Sequence, residues 1–226
     1  INSLHELHSV TKALTSMLVG IAIDKGFIKS ENELVFSYFP EYKNLKDSIK
    51  GKITLEHLLT FTSGLKWNEL DVPLVGNPNN DLVKLMGKIV GDSTSMSIKD
   101  KVEFVLSKPQ IAEPGIKWYY SGGDLIVLSE IIKKATGMRI DYFAEEYLFK
   151  PLDIRKYDMT LIDKDLIYPS GGLRLRPRDL AKIGYLFLNK GQWKGDQVIS
   201  PEWLNKTAER FIDIPLNISG WCKLSY

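Results

Sequence analysis

The chain has 226 residues, of which 44% are hydrophobic and 26% charged, as in an ordinary globular protein. The length predicts one domain, or one domain with a subdomain, and the near-neutral net charge of +2 gives no sign of a nucleic-acid-binding surface. The single cysteine, Cys222, excludes an intrachain disulfide and a cysteine-based metal cluster, and no apolar run is long enough to predict a membrane span.

The first predicted element is a buried helix that begins just after Ser9 and ends at Gly26. Its apolar residues recur at helical spacing: Leu14, Met17, Leu18, Ile21 and Ala22. Side chains three residues apart share one helix face, so the Ser9 hydroxyl and the Lys12 amine can meet. Burial favours a neutral amine, which could activate the hydroxyl as a nucleophile. The alternative is that Ser9 is an N-cap and Lys12 a solvated first-turn residue.

Val35 to Pro40 predicts a short helical turn with its rings on the core. A second helix is predicted to start at Thr54, a favourable N-cap. Its apolar face comprises Leu55, Leu58, Leu59 and Phe61. His57 lies among these leucines and is more typical of a packed or surface residue than of a catalyst.

A long irregular loop is predicted from Lys66 to Asn80, where it could rim a substrate cleft. Helical patterns follow at Asp81 to Val90 and at Ile98 to Lys108, the second closed by Pro109. A polar break over residues 91–97 separates them.

Tyr120 lies between a Pro-Gly turn at residues 114–115 and another buried helix, which Asp124 is expected to cap and Gly137 to end. A phenol at such a junction can point into a cleft, where a neighbouring lysine ammonium would favour its use as a general base. The alternative is that Trp118, Tyr119 and Tyr120 form an aromatic packing cluster.

The last third of the chain predicts a mixture of short elements. An amphipathic helix is expected from Asp141 to Leu148, and strand-like pieces from Met159 to Leu175. A helix then starts at Pro177, and a turn at residues 193–196 precedes a last helix capped by Ser200.

Two stretches carry a family resemblance. Ser9-Val10-Thr11-Lys12 opens one apolar helix and Tyr120-Ser121-Gly122 opens another. This order resembles the serine β-lactamase and penicillin-binding-protein superfamily, nearest to the class C type, in which Ser-x-x-Lys is a signature. Residues 53–65 and 171–181 are similar to the family as well. The resemblance implies an α+β fold with an antiparallel sheet flanked by helices.

The resemblance also implies roles for three residues. Ser9 would be the acylated nucleophile, Lys12 its proton partner and Tyr120 the general base, with no metal and no cofactor. The partner would be a small-molecule or peptide-like acyl substrate: an ester, an amide, a D-alanyl peptide or a β-lactam. The family's Tyr-x-Asn ends here in Gly122, which favours esters or amides over β-lactams.

The family's third motif, His/Lys-x-Gly, is not found before Tyr226, and the strands expected before Ser9 are not seen. We therefore expect residues 1–226 to be one β-lactamase-like domain, incomplete at both ends. It should be mostly helical, with exposed apolar faces where the sheet would lie. The resemblance favours an extracytoplasmic location.

Two other functions fit parts of the sequence. A non-catalytic sensor or binding protein could keep the same fold, but the joint retention of Ser9, Lys12 and Tyr120 argues against it. A metal-dependent hydrolase is a minor alternative, because His5 and His8 lack the spacing and flanking acid of a helical zinc motif.

Overall fold

The computed structural model describes residues 2–70, 79–86, 98–163 and 165–209. The helices of this part are α1 (Val10–Asp24), α2 (Leu55–Leu59), α3 (Asp81–Met86), α4 (Ile98–Leu106), α5 (Gly122–Thr136), α6 (Ile140–Ala144), α7 (Pro177–Leu188) and α8 (Pro201–Thr207). The strands are β1 (His5–Glu6), β2 (Tyr157–Met159), β3 (Leu161–Asp163), β4 (Leu166–Ile167), β5 (Leu173–Leu175), β6 (Gln192–Trp193) and β7 (Asp196–Gln197). Short 3₁₀ turns occupy Val35–Ser37, Pro40–Leu45 and Lys50–Lys52.

Helix α5 is the centre of the packing, because α1, α2, α4 and α6 all contact it. Its apolar residues are buried on nearly every side, as Ile126, Val127 and Ile131 show. Helix α1 is buried in the same way through Val19 and Ile21. A helix that is apolar all round must lie inside the core. The two predicted buried helices therefore form one core and bring their amino-terminal ends to the same region.

A small antiparallel sheet holds the chain just before α1. Its strand order is β1-β5-β2, with His5 opposite Leu175 and Tyr157 also opposite Leu175. The Leu7 N–H then donates to the Leu173 carbonyl at 2.9 Å. Two further antiparallel pairs, β3-β4 and β6-β7, complete the strands of the described part. The mixture of helices and small antiparallel sheets confirms the predicted α+β class.

Two helix predictions need correction. Ser121, and not Asp124, caps α5: its Oγ accepts the Asp124 N–H at 3.0 Å. The helix therefore starts three residues earlier than expected, with two glycines in its first turn. The helix predicted from Asp141 to Leu148 is split, because α6 passes into a π-helical turn at Glu145–Phe149. The predicted caps Thr54 and Ser200 are confirmed.

Some predicted features cannot be compared with the structure. The predicted break at residues 91–97, the end of the helix towards Val90, and Cys222 lie outside the described residues. On α7, Tyr185, Phe187 and Leu188 are exposed. The expectation that a sheet covers such faces stays a prediction. No helix in the described ranges has both the length and the apolar character needed to cross a membrane.

Gly20 lets α1 pack directly on Trp203 of α8. Adding a single methyl group at Gly20 should therefore have a large effect on stability. A Cβ at Gly20 would lie 2.3 Å from Cδ1 of that indole. We expect Gly20→Ala to lower the free energy of unfolding by about 2 kcal/mol, because overpacking displaces a buried ring. Urea unfolding measures this loss.

Gly184 supplies the matched control for that substitution. It lies in α7, and a Cβ there would meet nothing within 4 Å. Gly184→Ala should raise the free energy of unfolding by up to about 1 kcal/mol, since alanine is the better helix former. Equal effects of the two substitutions would contradict the close helix contact at Gly20.

Candidate active site

Ser9 directly precedes α1, and the backbone around it is held by the sheet. The preceding residue, His8, has a φ of 45°, in the left-handed region that non-glycine residues seldom adopt. The Ser9 side chain makes no capping hydrogen bond to α1. Ser9 therefore stands at the N-cap position without capping the helix through its side chain, and the hydroxyl is available for other contacts.

Lys12 lies one turn further along α1 and is buried, with 7% of its surface exposed. Its Nζ donates to Ser9 Oγ at 3.3 Å and to the Ser170 carbonyl at 2.6 Å. The interpretation of Lys12 as a solvated residue is therefore wrong. The carbonyl holds the amine at the distance from which it reaches the serine hydroxyl.

Tyr120 completes the group from the loop before α5. Its hydroxyl oxygen lies 2.5 Å from Ser9 Oγ, and Lys12 Nζ lies 4.6 Å from the centre of its ring. The ring also packs against Phe61 at 5.4 Å and Trp118 at 6.1 Å between ring centres. The aromatic-cluster interpretation thus describes the support of the ring, while its hydroxyl faces Ser9. The structure brings the three predicted residues together, and their catalytic roles stay a prediction.

The segment between β4 and β5 fastens the first turns of α1. Besides the contact of Ser170 with Lys12, the Pro169 carbonyl accepts from Thr15 Oγ1 at 2.7 Å. The Leu173 N–H donates to Thr11 Oγ1 at 3.3 Å. The sequence predicted strand-like pieces here and a family resemblance from residue 171 onward, but it did not identify these contacts with α1. A contact made by a main-chain carbonyl leaves no mark on the residue type, so the sequence could not reveal it.

Glu69 is a buried residue near the site that sequence reasoning missed. Its Oε2 accepts from Trp67 Nε1 at 2.7 Å and from the Gly122 N–H at 2.6 Å. Burial raises the pKa of the Glu69 carboxyl, while the charge of Lys12 and the two hydrogen bonds oppose that rise. In the sequence, the only sign of a role for Glu69 was its place in the loop that was expected to rim a cleft.

Asp124 is a second buried carboxyl group close by, in the first turn of α5. Burial raises its pKa to about 8, against the lowering effect of hydrogen bonds from Ser63 and Ser121, and the charge of Glu69 raises it further. Ser63 Oγ lies 3.3 Å from Oδ1. Within the described residues, Oδ2 has no hydrogen-bond partner.

This burial predicts a pH-dependent stability. Between the ordinary pKa of 3.8 and about 8, the folded state keeps the Asp124 proton and the unfolded state does not. The contribution of this carboxyl to stability is thus full below the ordinary pKa and is lost as the pH rises through 8. Asp124→Asn cannot ionise, so its free energy of unfolding relative to the wild type should rise by up to about 1 kcal/mol per pH unit in this window.

Urea unfolding at about pH 5 and about pH 8 measures the difference, following the linkage between proton binding and stability. The asparagine variant should lose less stability than the wild type between the two conditions. If the free energies of unfolding of the two proteins differ by the same amount at both pH values, Asp124 is not buried in its protonated form.

The three histidines take no part in the group around Ser9. His5 lies in β1 and is exposed, as is His8. His57 Nδ1 accepts the Thr54 N–H at 3.1 Å in a capping box at the start of α2. In the ranges that the structure describes, no three His, Cys, Asp or Glu side chains come together as a metal site would require.

A serine, a lysine one turn along the same helix, and a phenol from the mouth of a second helix define the site, within an α+β fold. This is the arrangement of a serine β-lactamase or penicillin-binding protein. The chain belongs to this superfamily: the family model described as Beta-lactamase matches residues 2–211. The resemblance inferred from the sequence motifs is confirmed.

Known proteins of this kind resemble the chain over most of its length. Acyltransferase mokF of Monascus pilosus is 30% identical over 167 residues, which cover 68% of this chain and 37% of the relative. The 6-aminohexanoate-dimer hydrolase of Paenarthrobacter ureafaciens is 28% identical over 203 residues, covering 88% of this chain and 49% of the relative. The chain thus spans half or less of the length of these curated relatives.

The fold has solved counterparts. The octameric penicillin-binding protein homologue from Pyrococcus abyssi superposes with a TM-score of 0.71 at 19% identity. The match covers 97% of this chain and 51% of that chain. At this level of identity the likeness establishes the fold alone.

Proposed function

We propose that the protein is a serine hydrolase that works through an acyl-enzyme, with Ser9 as nucleophile and Tyr120 and Lys12 as its proton-transfer partners. One observation carries the proposal: Ser9 Oγ lies 2.5 Å from the Tyr120 hydroxyl and 3.3 Å from Lys12 Nζ. Hydrogen-bond contact between a hydroxyl nucleophile and its base is the geometry that such activation requires.

In the first half-reaction, Ser9 Oγ attacks a carbonyl carbon and its proton passes to the pair formed by Tyr120 and Lys12. The active form of this pair has therefore lost one proton. The tetrahedral intermediate collapses when the leaving group takes that proton. The described residues provide no acceptor for the Ser9 N–H. This N–H, at the amino end of α1, would therefore form half of an oxyanion hole.

In the second half-reaction, water attacks the acyl-enzyme, and the same pair accepts the proton of that water. The proton returns to Ser9 Oγ as the acid leaves, so the site is restored. Both steps use the same three residues because each transfers an acyl group through the same kind of tetrahedral intermediate.

The substrate class that we favour is a small-molecule or peptide-like ester or amide. Gly122 stands where the family motif has an asparagine, so the amide that would contact a β-lactam acyl side chain is missing. One relative is named as a hydrolase of the 6-aminohexanoate dimer and another as an acyltransferase. Both names fit chemistry through an acyl-enzyme.

Acyl transfer is a second candidate, favoured by the relation to the acyltransferase of Monascus pilosus. The first half-reaction is unchanged, and an alcohol replaces water in the second. Adding a primary alcohol during ester turnover separates the two functions. A hydrolase releases mainly free acid, whereas a transferase releases mainly the new ester.

We further propose that residues 1–226 lie in one β-lactamase-like domain. The continuous family match over residues 2–211 supports this assignment. The shared packing of α1, α5 and α8 in one buried core supports it as well.

A fluorophosphonate probe tests the proposed function in the full-length protein. The probe forms a covalent bond with an activated serine, and digestion followed by mass spectrometry locates it. We expect the label on Ser9, and competition by a good ester substrate should slow its attachment. Labelling elsewhere, or no labelling of the folded protein, would refute the proposal.

A further inference from the structure

Glu69 is a buried carboxyl group that the proposed reaction steps do not use. Only 8% of its surface is exposed, although it lies in an irregular segment. Trp67 Nε1 and the Gly122 N–H both donate to its Oε2, and Asn80 Nδ2 donates to its main-chain oxygen at 2.9 Å. A carboxyl group is buried only where hydrogen bonds and charges compensate for lost water. These contacts hold the side chain in one position.

The start of α5 is shaped to receive this side chain. A Cβ at Gly122 would lie 2.8 Å from Glu69 Oε2, and a Cβ at Gly123 would lie 2.7 Å from Cζ3 of Trp67. Any larger residue at either position would displace its neighbour. Gly122 stands where the family motif has asparagine, so the departure from the motif and the buried Glu69 belong to one arrangement.

The charge of Lys12 favours the ionised form of Glu69 and so offsets part of the cost of burying its carboxyl group.

Other ionisable groups face Glu69 from the elements around it. Asp81 of α3, Asp124 of α5 and Tyr168 after β4 all interact with it electrostatically. Asp81 is itself paired with Lys108 at 2.7 Å. Lys12 is the cation that opposes the burial of Glu69.

We propose that Glu69 is a positioning residue of the site: its carboxyl group anchors the Gly122 backbone, two residues beyond Tyr120, and so keeps the Tyr120 hydroxyl in contact with Ser9 Oγ. This inference rests on the proposed function. Loss of the anchor should slow the proton transfer from Ser9 and leave substrate binding unchanged.

Glu69→Ala in the full-length protein removes the anchor. With p-nitrophenyl acetate as substrate, we expect kcat to fall about tenfold with little change in KM. Glu69→Gln keeps a side-chain oxygen that can still accept from Trp67 and Gly122, so its kcat should stay within about twofold of the wild type.

Glu113→Gln is the control, because Glu113 is half exposed and pairs with the exposed Lys52. It should leave kcat unchanged. A wild-type kcat in folded Glu69→Ala, or a fall in Glu69→Gln as large as in Glu69→Ala, would overturn the proposal. Should the alanine variant fail to fold, Glu69→Asp decides, because its shorter side chain draws the oxygens back from the Gly122 N–H. A lower kcat at an unchanged KM supports the proposal, and a kcat equal to the wild type overturns it.

Labelling of wild-type Ser9 by the fluorophosphonate probe keeps the two proposals apart. If the wild type is not labelled, the proposed function fails, and the role of Glu69 fails with it. If the wild type is labelled and Glu69→Ala keeps the wild-type kcat, only the role of Glu69 fails.

Discussion

Replacing Ser9 by alanine should lower kcat/KM for p-nitrophenyl acetate by about 10⁴-fold or more and abolish fluorophosphonate labelling. The reason is that Oγ is the atom held 2.5 Å from the Tyr120 hydroxyl, and no acyl-enzyme forms without it. Steady-state rates and intact-protein mass spectrometry measure the two losses. Binding of the ester should persist, because the surrounding residues are unchanged.

Ser16→Ala is a matched control on the same helix. Ser16 is buried, and among the described residues its Oγ has no hydrogen-bond partner. Removing such a hydroxyl leaves no partner unsatisfied, so kcat/KM should stay within about twofold of the wild type. Substantial turnover by folded Ser9→Ala, with the control unaffected, would exclude Ser9 as the nucleophile.

Replacing Tyr120 by phenylalanine should lower kcat/KM by about 10²- to 10⁴-fold, the usual contribution of a positioned general base. Phenylalanine keeps the ring contacts with Phe61 and Trp118, so the backbone before α5 should not move. KM should change little, because the phenol acts on the proton of Ser9 and not on substrate binding. The rate of fluorophosphonate labelling should fall in parallel.

Tyr119→Phe gives the comparison for this substitution, since Tyr119 is the preceding residue and its ring contacts Lys117 Nζ at 4.8 Å, away from the site. Its activity should match the wild type. Equal rates for the Tyr120 and Tyr119 variants would show that Lys12 alone accepts the proton.

The parts of the fold that could be predicted are those written in local patterns. The helical spacing of apolar residues located α1 and α5, and the N-caps Thr54 and Ser200 located the starts of α2 and α8. Both kinds of pattern act within a few residues of the chain. The Ser-x-x-Lys spacing likewise placed Ser9 and Lys12 on one helix face.

What could not be predicted depends on contacts between distant segments. Lys12 Nζ donates a hydrogen bond to the Ser170 carbonyl, and the Gly122 N–H donates one to Glu69. Both of these hydrogen bonds involve a main-chain atom. Main-chain groups are the same in every residue, so no pattern marks them. The cap of α5 was misassigned as well: Asp124 was expected to cap the helix, whereas Ser121 is the cap and Gly122 and Gly123, which lie close to Glu69 and Trp67, form the first turn.

The contacts of the site join residues that lie far apart in the sequence, and this separation affects when the site forms during folding. The Ser9–Tyr120 contact joins residues 111 positions apart, and the Lys12–Ser170 contact joins residues 158 positions apart. Contacts between such distant positions close large loops and form late, after local helices have appeared. Chemical competence should therefore be the last property the chain acquires as it folds, and a nascent or partly unfolded molecule would be inert towards its own substrates.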